Sequence, residues 1–259
     1  MPQRLSNAAI PLNHERHEKL FPNFLCSPKW IPFYKCHVNM CGRFSLNCNT
    51  SDIVKEFNVD KALVEVEPSY NIAPSQMVVA IINDGSNCLV QFKWGLIPLW
   101  AKDQAIGNKM INARGETLSE KPSFKNALKK RRCLIIADGF YEWKKEGKQK
   151  IPFYIRLKTK RLFGFAGLFD KWISPGGEEI KSCAIVTTQS NKLLKPIHDR
   201  MPVIIPKDKE GLWLDPAIQD IKQTLSFLNS YSSDEMEYYE VSKTVNSPAN
   251  NSPECTKPA

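Results

Sequence analysis

Met40-Cys41-Gly42-Arg43-Phe44 holds the most reactive chemistry this sequence can offer. Removal of methionine ahead of a small residue leaves a cysteine with a free α-amine, a 1,2-aminothiol. That amine has a reference pKa near 8 against about 10.4 for lysine, so roughly a tenth is unprotonated at neutral pH. It attacks an aldehyde without further tuning. The imine that results stands one five-membered ring away from the thiol, and thiol addition closes a thiazolidine, a durable link in place of a labile one. The plainer alternative is an ordinary thiol opening a strand, and these five residues alone allow both. Cys41 is internal in this chain, so its nitrogen is an amide until the residues before it are gone. Translation starting at Met40, or cleavage of the Met40-Cys41 bond by the protein itself, would each expose the amine.

Partners for such a cysteine are few. Of the four histidines, His14, His17 and His37 precede Met40, which leaves His198 as the only imidazole after it. It lies in Pro196-Ile197-His198-Asp199-Arg200-Met201-Pro202, a polar loop of the kind that displays catalytic side chains, although a loop histidine also serves structure. Glu142 stands among Phe140, Tyr141 and Trp143. Buried there it would have a raised pKa and could exchange protons near neutrality; facing water it would do nothing of the sort. Asn112 and Arg114, two apart, share one face if their segment is extended. An amide beside a guanidinium can hold a phosphate or sugar oxygen, or can be a surface pair.

The elements that must position these groups are mostly short strands. Asn49-Thr50-Ser51-Asp52 offers caps for a helix over 53–57, and Pro68 to Pro74 reads as a rigid loop. β-Branched and aromatic runs over 77–82 and 88–96 flank Asn83-Asp84-Gly85-Ser86-Asn87, which predicts a hairpin. Ser123 can cap a helix over 124–130 that ends in a basic cluster. Strands follow over 133–137, 140–143, 152–157, 162–169 and 182–188, with Pro175-Gly176-Gly177 turning the last pair. Helices are expected over 190–194, 207–214 and 216–229, then a strand over 237–241 and a Pro/Asn/Ser tail. Strands outnumber helices without a βαβ rhythm, so the expected fold is α+β, one domain with mainly antiparallel sheet, closed into a barrel or nearly so.

Composition agrees with one globular domain over 40–259: 42% apolar and 24% charged residues are ordinary values. Residues 1–39 carry five prolines with no helical or strand period, and read as a disordered extension that is removed or never translated. No apolar run approaches the 18 or so residues of a membrane span. The net charge of +9 is compatible with a polyanionic partner. The eight cysteines form no CxxC pair or finger spacing, which argues for a reducing cytosol and against zinc or a disulfide framework. No heptad or other association signal is present, so a monomer is expected.

Six segments together resemble the SRAP family, the SOS-response-associated peptidases also called abasic site processing proteins. They are Met40-Cys41-Gly42-Arg43-Phe44, Tyr70-Asn71-Ile72-Ala73-Pro74, Trp94-Gly95-Leu96-Ile97-Pro98, Asn112-Ala113-Arg114-Gly115-Glu116-Thr117, Ala137-Asp138-Gly139-Phe140-Tyr141-Glu142-Trp143 and Ile197-His198-Asp199-Arg200-Met201-Pro202. Val245-Asn246 and Pro253-Glu254-Cys255 are similar to the family's ending. The resemblance implies an enzyme that couples its N-terminal cysteine to abasic sites in single-stranded DNA, without metal or other cofactor and away from membranes. It implies Cys41 as the nucleophile, Asn112 orienting the sugar, and Glu142 and His198 moving protons. It further implies Arg43, Arg114 and Arg200 on phosphates, and Pro74 with Trp100 against flanking bases. Ala101 stands where the family often has a second aromatic. Lyase, crosslink-reversal and self-cleaving activities are implied too, in the cytoplasm with the nucleoid or in the nucleus according to the host. Two other readings stay open: a cysteine-dependent peptidase acting only on itself, and a non-catalytic reader of modified or single-stranded DNA.

Overall fold

A reciprocal cap shows how closely local sequence dictates local structure. The Asn49 side chain accepts from the Asp52 amide while the Asp52 carboxylate accepts from the Asn49 amide, and this starts the first helix. The computed structural model describes residues 41–159 and 161–259; the expectations for 1–39 and for Met40 lie outside the described residues. In chain order, strand β1 (Phe44–Leu46) precedes helix α1 (Thr50–Phe57), β2 (Lys61–Ala62) and β3 (Ser69–Ile72). The expected hairpin is β4 (Met77–Asn83) with β5 (Asn87–Trp94), and Asn83 pairs with Asn87 across the turn. Then come β6 (Asn112–Arg114), α2 (Pro122–Lys130), β7 (Arg132–Ala137), β8 (Gly139–Glu146) and β9 (Gln149–Leu157). The long pair β10 (Phe163–Ile173) and β11 (Glu179–Gln189) leads to β12 (Arg200–Pro202), β13 (Ile204–Ile205), α3 (Glu210–Leu214), α4 (Ile221–Leu225) and β14 (Met236–Glu240).

The larger sheet runs β12-β11-β10-β7-β4-β5-β2, and β5 also pairs in parallel with β11, Lys93 against Ser182 and Trp94 against Cys183. That extra pairing closes β4, β5, β7, β10 and β11 into a barrel, as the strand-rich sequence led us to expect. Just past this seam the Gly95 amide donates to the Cys183 carbonyl at 2.8 Å. The φ of Gly95 is +132°, and a Cβ there would lie 2.7 Å from the Gly107 carbonyl oxygen. Phe44, Phe165 and Trp94 pack within the main core, the first two ring centroids 5.8 Å apart and Phe44 5.1 Å from Trp94.

The second sheet, β14-β9-β8-β1-β3, branches off at Asp138. The chain leaves the barrel at Ala137 and enters β8 at Gly139, where a Cβ would sit 2.2 Å from the Tyr154 hydroxyl. Asp138 pins the branch by accepting from Ser45 Oγ at 2.6 Å and the Asn47 amide at 3.1 Å. Burial raises its pKa against these bonds.

Five expectations need correction. The stretch 68–74, expected as a rigid loop, contains β3, because Ser69 and Ile72 pair with Leu46 and Phe44 of β1. The second helix begins at Pro122 without a side-chain cap, since proline's fixed φ suits the first turn and Ser123 already lies inside it. Residues 190–194 form turns: the Asn191 side chain accepts from the Leu194 amide, and Pro196 prevents propagation. The stretch 207–214 splits into a 3₁₀ turn, Lys207–Lys209, and α3. Within 216–229 only Ile221–Leu225 is α-helical, because Asp220 caps the Gln223 amide at 2.7 Å and sets the start there. The tail also carries more structure than its composition suggests. Val245 and Cys255 are fully buried and join Tyr141, Tyr154 and Val241 in a second, smaller core.

Candidate active site

β1 and β8 are antiparallel, with Phe44 opposite Phe140 and Ser45 opposite Gly139, and the Tyr141 amide donates to the Arg43 carbonyl at 2.9 Å. This register carries the chain before β1 back towards Glu142. Along β8 the side chains alternate: Phe140 faces the main core, while Tyr141 and Trp143 face the smaller one. Glu142 therefore points to the main-core side, and it is 3% exposed. The Cys41 amide donates to its Oε1 at 2.6 Å. The same carboxylate also acts on the Cys41 thiol, whose pKa its charge raises.

Burial dominates the electrostatics of this pair. It pushes the Cys41 thiol well above its usual range, the negative charge and hydrogen bond of Glu142 push further, and Arg200 opposes them. Burial also raises the Glu142 carboxyl, opposed by His198 and by the bonds from Cys41 and the Trp143 amide. The result is a protonated thiol beside an acid that gives up its proton later than a solvated glutamate. Cys41 itself has φ +48°, a left-handed conformation that costs a residue with a Cβ about 1–2 kcal/mol.

His198 and Arg200 approach from the loop before β12. His198 Nδ1 accepts the Arg200 amide at 3.1 Å, which assigns the proton of the neutral ring to Nε2. The Asp199 carboxylate, 3.4 Å from the same Nδ1, pairs only with a protonated ring, and that acid is largely exposed. Arg200 forms a bidentate pair with Glu116 at 2.5 and 2.9 Å and donates to the Thr187 carbonyl at 2.8 Å. That pair is the chief reason the Glu116 carboxyl sits below its usual range.

The remaining predicted residues lie on other elements and differ in burial. β6 lies parallel to β11, Asn112 opposite Ile185 and Arg114 opposite Thr187, with Ala113 buried between them. Asn112 and Arg114 thus share a face; Asn112 is half-buried, and Arg114 is exposed near enough to Glu116 to lower its pKa. Arg43 donates to Asn71 Oδ1 and to the Val245 carbonyl, both at 2.7 Å, and lies over the Trp143 ring. Pro74 is half-buried in the turn after β3, whose Ile72 pairs with Phe44. Trp100 is 59% exposed and Leu99 64% on the loop that follows β5. Among the described residues no group of three or more His, Cys, Asp or Glu is arranged to hold a metal ion. No helix among them is long and apolar enough to cross a membrane.

A model of the SOS response associated peptidase (SRAP) family matches residues 40–248. The chain belongs to the SRAP family. Its match to the abasic site processing protein YoqW of Bacillus subtilis is 55% identical over 219 residues, 83% of this chain and 98% of the relative. The abasic site processing protein HMCES of Xenopus tropicalis is 34% identical over 221 residues, covering 73% of this chain and 65% of that one. A solved structure from Bacteroides thetaiotaomicron superposes with a TM-score of 0.79 at 28% identity, over 85% of this chain and all of the other.

Within this SRAP protein, Cys41, Glu142, His198 and Arg200 are brought together, tied by direct bonds or by electrostatic influence on one another. Sequence reasoning missed Glu116 as the partner of Arg200 and Asn71 as the partner of Arg43. Both lie inside segments that resemble the family, three residues or fewer from residues already singled out, and that adjacency was the only signal.

Proposed function

We propose that this protein couples covalently to abasic sites in single-stranded DNA through Cys41, once the residues before it are removed. The observation that carries the reading is the acid beside the cysteine: buried Glu142 accepts from the Cys41 nitrogen at 2.6 Å, and its charge also acts on the Cys41 thiol. Relatives named abasic site processing proteins support the substrate.

The chemistry follows from the contacts. The freed α-amine attacks C1 of the ring-opened deoxyribose aldehyde, and the carbinolamine loses water with a proton supplied by Glu142 or His198. The thiol then adds to the imine carbon. Because burial keeps that thiol protonated, Glu142 takes its proton as the C–S bond forms, and a thiazolidine plus one water results. Asn112 would orient the sugar, while Arg43, Arg114 and Arg200 hold phosphates and Pro74 with Trp100 covers the neighbouring bases. Arg200 must exchange Glu116 for a phosphate to do so. The imine can also lose the 3′ phosphate by elimination or be hydrolysed, which would give lyase and reversal activities at the same site.

A second reading concerns how the amine arises. Cys41 holds a strained positive φ, and the nitrogen of the Met40-Cys41 bond is hydrogen-bonded to an acid able to protonate a leaving amine. Self-cleavage would relieve that strain, since an N-terminal residue has no preceding carbonyl to clash with. The test compares protein starting at Met40, its Cys41→Ala variant and the full 259-residue chain, each mixed with single-stranded DNA bearing one abasic site. Denaturing gels and intact mass are read. A heat-stable adduct that needs Cys41 supports the proposal, and loss of 40 residues from the full chain supports self-cleavage. Folded protein with a verified N-terminal Cys41 that binds this DNA yet gives no adduct would overturn the coupling and leave the self-acting peptidase or the reader.

A further inference from the structure

The C-terminal segment after β14 returns to the front of the site and takes hold of two residues there. Val245 offers its carbonyl to Arg43 at 2.7 Å and to Asn71 Nδ2 at 3.2 Å. The same Asn71 nitrogen donates to the carbonyls of Ser247 at 2.9 Å and Asn250 at 2.7 Å, while its oxygen accepts from Arg43 at 2.7 Å. This amide can face only one way, nitrogen to the segment and oxygen to the guanidinium. On the other side of Arg43, the Trp143 indole donates to Asn246 Oδ1 at 2.8 Å, and Arg43 lies 5.7 Å from the centre of that ring. Burial of Val245 in the smaller core anchors the strap from behind.

We propose that this segment is a strap that positions Arg43 for a DNA phosphate, with Asn71 and Asn246 as its two fasteners. The proposal rests on the DNA-binding reading above and adds residues to it. Arginine is a long side chain with several rotatable bonds, and an unheld guanidinium gives up conformational freedom on meeting a phosphate. Here that freedom is removed beforehand by the strap and the indole face. The Asn71 and Val245 oxygens are neutral acceptors, so neither cancels the charge offered to the phosphate. Neither fastener needs to touch DNA: both act through Arg43.

The test is binding of undamaged single-stranded DNA by the full chain, followed by fluorescence anisotropy over a series of salt concentrations. It uses Asn71→Ala, Asn246→Ala and Arg43→Ala singly, and each fastener variant combined with Arg43→Ala. Asn71→Ala is expected to weaken binding about five-fold and to flatten the log–log salt slope by about 0.7, the contribution of one phosphate on a single strand. Asn246→Ala, on the surface and neutral to folding, is expected to cost about two-fold. Both losses should vanish once Arg43 is alanine. Removing the buried Asn71 amide lowers the melting temperature in any case, so the deciding readout is the double variant: a fastener loss that adds to the Arg43→Ala loss overturns the strap, as does binding insensitive to either fastener or to Arg43. Failure of the unaltered protein to bind single-stranded DNA would overturn the DNA reading along with it.

Discussion

Glu142 holds a position that function needs and stability does not favour. Its folded pKa is raised, chiefly by burial, from an ordinary 4.5. The folded chain therefore binds this proton more tightly than the unfolded chain, so the contribution to stability is full below 4.5 and is lost as pH rises through the raised value. Glu142→Gln keeps an acceptor for the Cys41 amide but has no proton to lose. In the full chain, where the Cys41 nitrogen is still an amide, the variant should melt higher than the parent at neutral pH, by about 1 kcal/mol, and the difference should shrink towards pH 4. In protein starting at Met40 the same change should slow adduct formation by about 10²–10⁴, the usual share of acid–base catalysis. A melting difference that is flat with pH would deny the raised pKa its cause. Cys41, Glu142 and His198 are each legible in the sequence, the last because no other imidazole follows Met40. The burial of Glu142 is not, since period-two alternation lets residue 142 face either way until Phe44 pairs with Phe140.

Among the elements, the loop from Pro98 to Asp103 shows how an exposed apolar tip is held in place. The Leu99 amide donates to the buried Asp170 carboxylate at 3.2 Å, and the buried Trp172 indole donates to the Ala101 carbonyl at 2.7 Å. Asp170 is itself 3.3 Å from Arg131 Nε. Trp100 is thus bracketed by two anchors on β10. Trp100→Ala should weaken binding to abasic single-stranded DNA by about 1–3 kcal/mol, the range for one stacked base. Trp172→Phe, which removes one anchor, should cost a fraction of that and nothing further in the Trp100→Ala background; losses that simply add would show the loop needs no bracing. The hairpin β4–β5 and helix α1 were legible because their signals are local. A barrel was expected from the strand-rich pattern, but the strands that close it were not legible, because the pairing of Trp94 with Cys183 joins residues far apart in sequence.

At the scale of the whole molecule, charge and topology answer different questions. A net +9 favours polyanions without saying where they would bind, and the three arginines proposed for phosphates give that question a testable answer. If all three meet phosphates, the affinity for single-stranded DNA should fall with salt at a log–log slope of about −2. A titration between 50 and 300 mM salt measures this, and a slope near zero would remove phosphate contacts from the mechanism. Topology adds a constraint in time. The bond from Cys41 to Glu142 spans 101 residues and that from Arg43 to Val245 spans 202. At roughly 5–20 residues per second a ribosome emits the strap about 10–40 s after the cysteine it serves. A nascent or prematurely terminated chain consequently displays the cysteine without the acid, the guanidinium or the shelter that make it selective. Selectivity arrives only with the last stretch of translation, so a broken message yields a cysteine without the groups that would direct it to DNA.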